Sequence, residues 1–122
     1  MADEIATRAG TSVLVCDPDG PVIATEADAL DLIGAAFAGA AVVAVPADRL
    51  DERFFALGTR FAGDVMQKFV NYRIRLAVVG DISRHLEGSS ALRALVAESN
   101  TASHIWFVPD LDALDDRLRA SA

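Results

Sequence analysis

Ala40-Ala41-Val42-Val43-Ala44-Val45, closed by Pro46, and Arg75-Leu76-Ala77-Val78-Val79-Gly80 are the stretches on which the reading of the fold turns. Each is a short, continuous apolar run rich in β-branched residues, the pattern of a strand covered on both faces, and Pro46 stops the first because proline cannot donate to a ladder. Between them the period changes to that of a helix. Thr59 is placed to cap a helix running to about Tyr72, with Phe61, Val65, Met66 and Phe69 as its apolar stripe. Arg60, Asp64 and Lys68, spaced i, i+4, i+8, fall on one solvated edge of it. Asp51 can cap a shorter helical turn through Phe54 and Leu57 before Gly58 interrupts. A strand, a helix and a second buried strand imply a parallel pair joined by a crossover.

The same reading extends both ways. Thr11 to Cys16 reads as a strand, Asp17-Pro18-Asp19-Gly20 as a tight turn, and Pro21 to Ala24 as a returning second strand, together a hairpin. Thr25 with Asp28 three residues on starts a helix from about Glu26 to Ala38, ending at Gly39. Beyond Gly80, Ser89 or Ser90 can cap a helix carrying Leu92, Leu95 and Val96, with Asn100 as its stop. His104 to Val108 forms a last strand, and Asp110 caps a final helix with Leu111, Leu114 and Leu118 on one face. The order β-β-α-β-α-β-α-β-α predicts an α/β domain with a mixed, mostly parallel sheet. One domain spans 1–122, with its core at about 11–119 and a flexible N-terminus over 1–10.

Composition agrees with a packed domain. The 122 residues are 52% hydrophobic and 24% charged, too apolar for a disordered tail and too short for two full domains. No apolar run approaches the roughly 20 residues of a membrane span, the first residues lack an export signal, and the lone Cys16 excludes an internal disulfide. A cytoplasmic location is expected. The net charge of −7 argues against a nucleic-acid partner. The charge is uneven, −7 over 1–53, +3 over 54–93 and −3 thereafter, so the middle third is the basic region.

In parallel sheets, sites form beyond the carboxyl ends of the strands, here after Val45, Gly80 and Val108. Asp81, Ser83, Arg84 and His85 follow a strand directly and bring an acid, a hydroxyl, a cation and an imidazole to one rim. The same residues also suit a plain polar loop. Asp48 and Asp51 can face them across the neighbouring strand end, or serve as a turn residue and a helix cap. Cys16, His85 and His104 are too scattered for a metal centre, and no phosphate-loop, dinucleotide or nucleophile-elbow motif is present, so no cofactor is expected and nothing forces an enzyme. Lys68 to Arg75 combines a helix end, cations and two aromatics. It reads equally as charge compensation of the helix dipole and as a docking patch for an acidic partner.

Residues 61–81, from Phe61-Ala62-Gly63-Asp64-Val65-Met66-Gln67-Lys68-Phe69 through Asn71-Tyr72-Arg73 to Val79-Gly80-Asp81, resemble the core of a bacterial domain-of-unknown-function family. Asp28 to Ile33 and Ser90 to Asn100 carry the same likeness, which covers about residues 12–118. The resemblance implies no established activity. In element order the chain is also similar to the STAS domain of anti-sigma-factor antagonists and anion transporters. That likeness implies a regulatory module with a phosphorylatable hydroxyl near Thr59, although Leu57-Gly58-Thr59-Arg60 lacks the preceding acid of the regulator motif.

The sequence therefore leads to a small cytoplasmic regulatory or protein-interaction module. Its expected contact face comprises Thr59, Arg60 and Asp64 on the helix with Asp81, Ser83 and Arg84 at the strand end, where Arg60 and Arg84 meet an acidic partner or a small anion. A second reading is a small-molecule-binding protein or minor enzyme around Asp81, Arg84 and His85. A third is self-association through an exposed strand edge or surface aromatics such as Phe54, Tyr72 or Trp106.

Overall fold

Ala9 and Gly10 have φ of 48° and 81°, the positive values that both central residues of a type I′ turn require. They join β1 (Glu4–Arg8) to β2 (Thr11–Val15) as an antiparallel hairpin, with Arg8 opposite Thr11 and Glu4 opposite Val15. The structure is a computed structural model and describes residues 3–121. This hairpin replaces the expected one. Residues 4–8 form a strand rather than a flexible N-terminus, and Pro21 to Ala24 form no strand, making only an isolated parallel bridge, outside the sheet, between Ile23 and Leu50.

The remaining elements follow the expected alternation: α1 (Glu26–Ala36), β3 (Val42–Pro46), α2 (Phe61–Tyr72), β4 (Arg75–Val79), α3 (Ser83–Glu87), α4 (Ser90–Thr101), β5 (Ile105–Val108) and α5 (Leu111–Ala120). Three single 3-10 turns, Ala47–Arg49, Glu52–Phe54 and Leu57–Thr59, fill the connection from β3 to α2. Four of the expected caps form. Thr25 and Asp28 form a reciprocal capping box, Ser89 accepts from the Leu92 amide, Asp110 from Ala113 and Asp51 from Arg53. The five strands lie in the order β1-β2-β3-β4-β5, antiparallel in the first pair and parallel in the others.

Side chains alternate across this sheet and define two cores of unequal size. Leu14, Val43, Val45, Leu76, Val78, Ile105 and Phe107 face α1, α2 and α4. Val13, Val42, Ala44, Ala77, Trp106 and Val108 face the single helix α5 through Leu114 and Leu118. Phe54 centres the larger core, with ring centroids at 5.2 Å from Phe55 and 6.5 Å from both Phe61 and Phe107. Phe54 and Trp106 are thus buried, not surface aromatics, because the turn after β3 folds inward and α5 covers β5. Arg117 lies over the Trp106 ring at 4.6 Å and Arg75 at 5.6 Å.

Truncating Phe54 would leave a cavity between that turn, α2 and β5. Phe54→Ala is expected to lower unfolding free energy by about 3–5 kcal/mol, measurable by urea denaturation. A loss comparable to that of a surface substitution would show that the cluster does not hold the β3–α2 connection.

Candidate functional site

The carboxyl ends of β3 and β4 carry the candidate residues. Gly80 leaves β4 with φ 141°, and a Cβ there would come within 3.3 Å of the Ala47 Cβ, so the chain turns closely against the first 3-10 turn. The carboxylate of Asp81 then accepts from the Ser83 hydroxyl at 2.5 Å and from its amide at 2.9 Å. These two bonds hold the Asp81 carboxyl below the ordinary carboxylate range, the hydroxyl contributing most. They also start α3, a short helix where the sequence suggested a loop.

α3 turns Arg84 and His85 towards the Glu52–Phe54 turn. The His85 ring stacks on Phe55 with centroids 4.0 Å apart and planes 10° from parallel, while Arg84 stands 3.9 Å from Glu52 at the mouth. Both members of that ion pair are well exposed, so its contribution is small. Glu52, Phe55, Ala56, Arg84 and His85 line an open cleft of about 430 Å³. Burial of the ring lowers the His85 pKa, and the Arg84 charge lowers it further, against the opposing carboxylates of Glu52 and Asp48. Asp48 thus lies within electrostatic reach of this site, whereas Asp51 serves as the cap of its own turn.

The expected face is divided. Asp81 and Ser83 rim a separate cleft of about 230 Å³ floored by Leu86, Val96 and Phe107, away from the one that His85 lines. Arg60 takes the N-cap position of α2 at φ 63° without a side-chain cap. Asp64 lies exposed one turn later, and among the described residues neither has an ion-pair partner. Thr59 is not the cap of α2. Its hydroxyl sits 2.8 Å from the carbonyls of both Arg53 and Ala56 and accepts from the Phe61 amide at 3.3 Å. A phosphate on Thr59 would meet two carbonyl oxygens, which disfavours it.

Sequence reasoning missed Phe55 as the floor of the His85 cleft, since Phe54-Phe55 reads simply as core. It also missed Phe37. The Phe37 and Tyr72 rings meet edge to face at 5.8 Å at the ends of α1 and α2, and are 59% and 47% exposed. Arg73 follows in the left-handed conformation, its amide closing α2 on the carbonyls of Phe69 and Val70. Of the other cations in that stretch, Lys68 pairs with Glu26 at 3.4 Å and Arg75 covers Trp106, so Arg73 is the cation left at the helix end.

Residues 8–118 match the family described as Domain of unknown function (DUF4180). The chain belongs to that family. No curated protein and no solved structure matches it. None of these comparisons supports the resemblance to STAS domains. Among the described residues no helix is long and apolar enough to cross a membrane.

A depressed His85 pKa means that the folded protein resists protonation of the ring. Stability is expected to fall as pH drops below about 6.5 and through the lower folded value. By NMR, His85 should titrate below an ordinary histidine, and Arg84→Gln should move its midpoint upwards. An unshifted His85 curve in both proteins would contradict the arrangement.

Proposed function

We propose that this DUF4180 domain is a small cytoplasmic protein-interaction module of regulatory type, which docks an acidic partner segment at the ends of α1 and α2. The observation that carries this reading is the exposed edge-to-face pair of Phe37 and Tyr72 beside Arg73. Large aromatics held outward in a fixed geometry lose little entropy on binding, and aromatic and arginine side chains dominate interface energetics. Arg73 supplies the charge that an acidic segment complements, within the basic third of an otherwise acidic chain. Thr59, Arg60 and Asp64 lie at the other end of α2, and Asp81, Ser83 and Arg84 follow the carboxyl end of β4 on more than one surface, so they stand apart from this docking site.

A second reading, a small anionic ligand in the His85 cleft, is favoured by the stack of His85 on Phe55 with Arg84 at its mouth. A planar anion could extend that stack and meet the guanidinium. Native mass spectrometry of the protein from its own cells distinguishes the two, because only this second reading requires a small-molecule adduct.

Titration with peptides that combine glutamates with one leucine or phenylalanine anchor tests the docking surface. Amide shifts are expected to cluster at Phe37, Tyr72 and Arg73, and Phe37→Ser with Tyr72→Ser should weaken binding at least tenfold, about 1.4 kcal/mol. Shifts confined to Phe55 and His85, or none, would contradict the proposal.

A further inference from the structure

The two edges of the sheet are treated differently. On β5 the Asn100 side chain accepts from the Phe107 amide at 2.7 Å and donates to its carbonyl at 3.1 Å, meeting that residue as a neighbouring strand would. Among the described residues nothing covers β1 in this way. Glu4, Ile5, Ala6 and Thr7 are all exposed, and although the strand is short and charged at both ends, it carries no proline, no lysine and no bulge to block its edge. Among the described residues no side chain hydrogen-bonds to the backbone of Ile5 or Thr7.

Which groups point outward follows from the pairing. The Ser12 carbonyl accepts from Ala41 and the Cys16 amide donates to Ala44, so the even-numbered residues of β2 bond to β3. The odd-numbered Thr11, Val13 and Val15 therefore bond to β1, where their partners are Arg8, Ala6 and Glu4. Ile5 and Thr7 are left to direct their N–H and C=O away from the sheet.

We propose that two copies of this chain pair antiparallel through β1, about a two-fold axis at Ala6, and so join their sheets into one. An isologous contact requires a strand that is complementary to itself. With Ala6 on the axis, Ile5 of each copy faces Thr7 of the other as a hydrogen-bonded pair, and all five residues of the strand are matched. Glu4 then faces Arg8 of the second copy in a non-hydrogen-bonded pair, where side chains lie closest. Arg8 is already held by Asp115 through bonds of 2.7 and 2.9 Å, so each end of the interface becomes an acid–base–acid row. Moving the axis to Ile5 or Thr7 keeps the hydrogen-bond parity but shortens the match and separates Glu4 from Arg8. Charge and register thus select one arrangement. The interface is a strand edge, small beside standard interfaces, so the dimer is a concentration-dependent one.

Sedimentation velocity of the intact chain over a wide concentration range tests this directly. The average mass is expected to rise from one chain towards two, and Thr7→Pro, which removes an outward N–H and no internal bond, should keep it at one. Glu4→Arg should do the same by placing like charges opposite each other. In a separate arm, Ala6→Cys places two thiols across the axis with Cα atoms about 4.5 Å apart, within disulfide reach, and should cross-link under mild oxidation faster than Ala97→Cys on exposed α4. The native Cys16 is buried with its thiol pushed up to about 12, and stays out of the reaction. A single-chain mass at every concentration, association that survives Thr7→Pro, or equal cross-linking rates would each overturn the proposal.

Discussion

Among the described residues the guanidinium of Arg49 is the charged group that is buried, and two separate segments meet on it. Its Nη1 donates to Asp3 at 2.9 Å and to the Asp17 carbonyl at 3.1 Å, and its Nε donates to the Pro21 carbonyl at 2.9 Å. A charge withdrawn from water must find such partners, because leaving it unpaired costs far more than any single hydrogen bond contributes. The Asp17–Pro21 turn and the start of the chain are therefore fixed to the end of β3. Gly20 belongs to the same arrangement, since a Cβ there would fall 2.6 Å from the Arg49 Cζ. Asp3 also accepts from the Asp17 amide at 2.8 Å, so one carboxylate serves both.

From that anchor the rest of the amino-terminal half takes its place. The Ile23 amide donates to the Arg49 carbonyl and Ile23 accepts from Asp51, which ties the strap before α1 to the turns after β3. β1 is held at one end by Asp3 on Arg49 and at the other by Arg8 on Asp115 of α5, so an almost wholly exposed strand stays aligned with its outer edge open. The turns after β3 bury Phe54 and Phe55, and Phe55 in turn carries the His85 stack. The exposed β1 and the strap before α1 thus share one buried guanidinium as their anchor.

The parallel core was legible in the sequence because its signals are local. Apolar runs ended by Pro46 and Gly80, the Thr25–Asp28 box and the caps Ser89 and Asp110 each report on residues within a turn of themselves. The amino-terminal hairpin was not, for a specific reason. Asp17-Pro18-Asp19-Gly20 does form a turn, with the Gly20 amide on the Asp17 carbonyl, but Arg49, far along the chain, takes the Pro21 carbonyl and prevents a returning strand. The true turn uses Ala9 at positive φ, a conformation that alanine seldom adopts. Thr59 was misplaced because Arg60 itself enters the left-handed region and breaks the capping register. The candidate residues Asp81, Ser83, Arg84 and His85 were visible as a strand-end cluster, yet their division between two clefts depends on α3, which Asp81 and Ser83 start by a bond pattern that composition does not signal. The partners of His85 and Tyr72, namely Phe55 and Phe37, come from distant segments and only packing reveals them.

Residue-resolved amide hydrogen exchange on dilute protein, comparing the intact chain with Arg49→Met, tests the anchoring role most directly. In the intact chain the Ala6 and Arg8 amides should be protected and those of Ile5 and Thr7 fast, and in Arg49→Met protection should be lost across β1 and residues 17–23 while β3 and β4 keep theirs. Equal protection of β1 in both proteins, or a β1 that exchanges freely in the intact chain, would contradict the account.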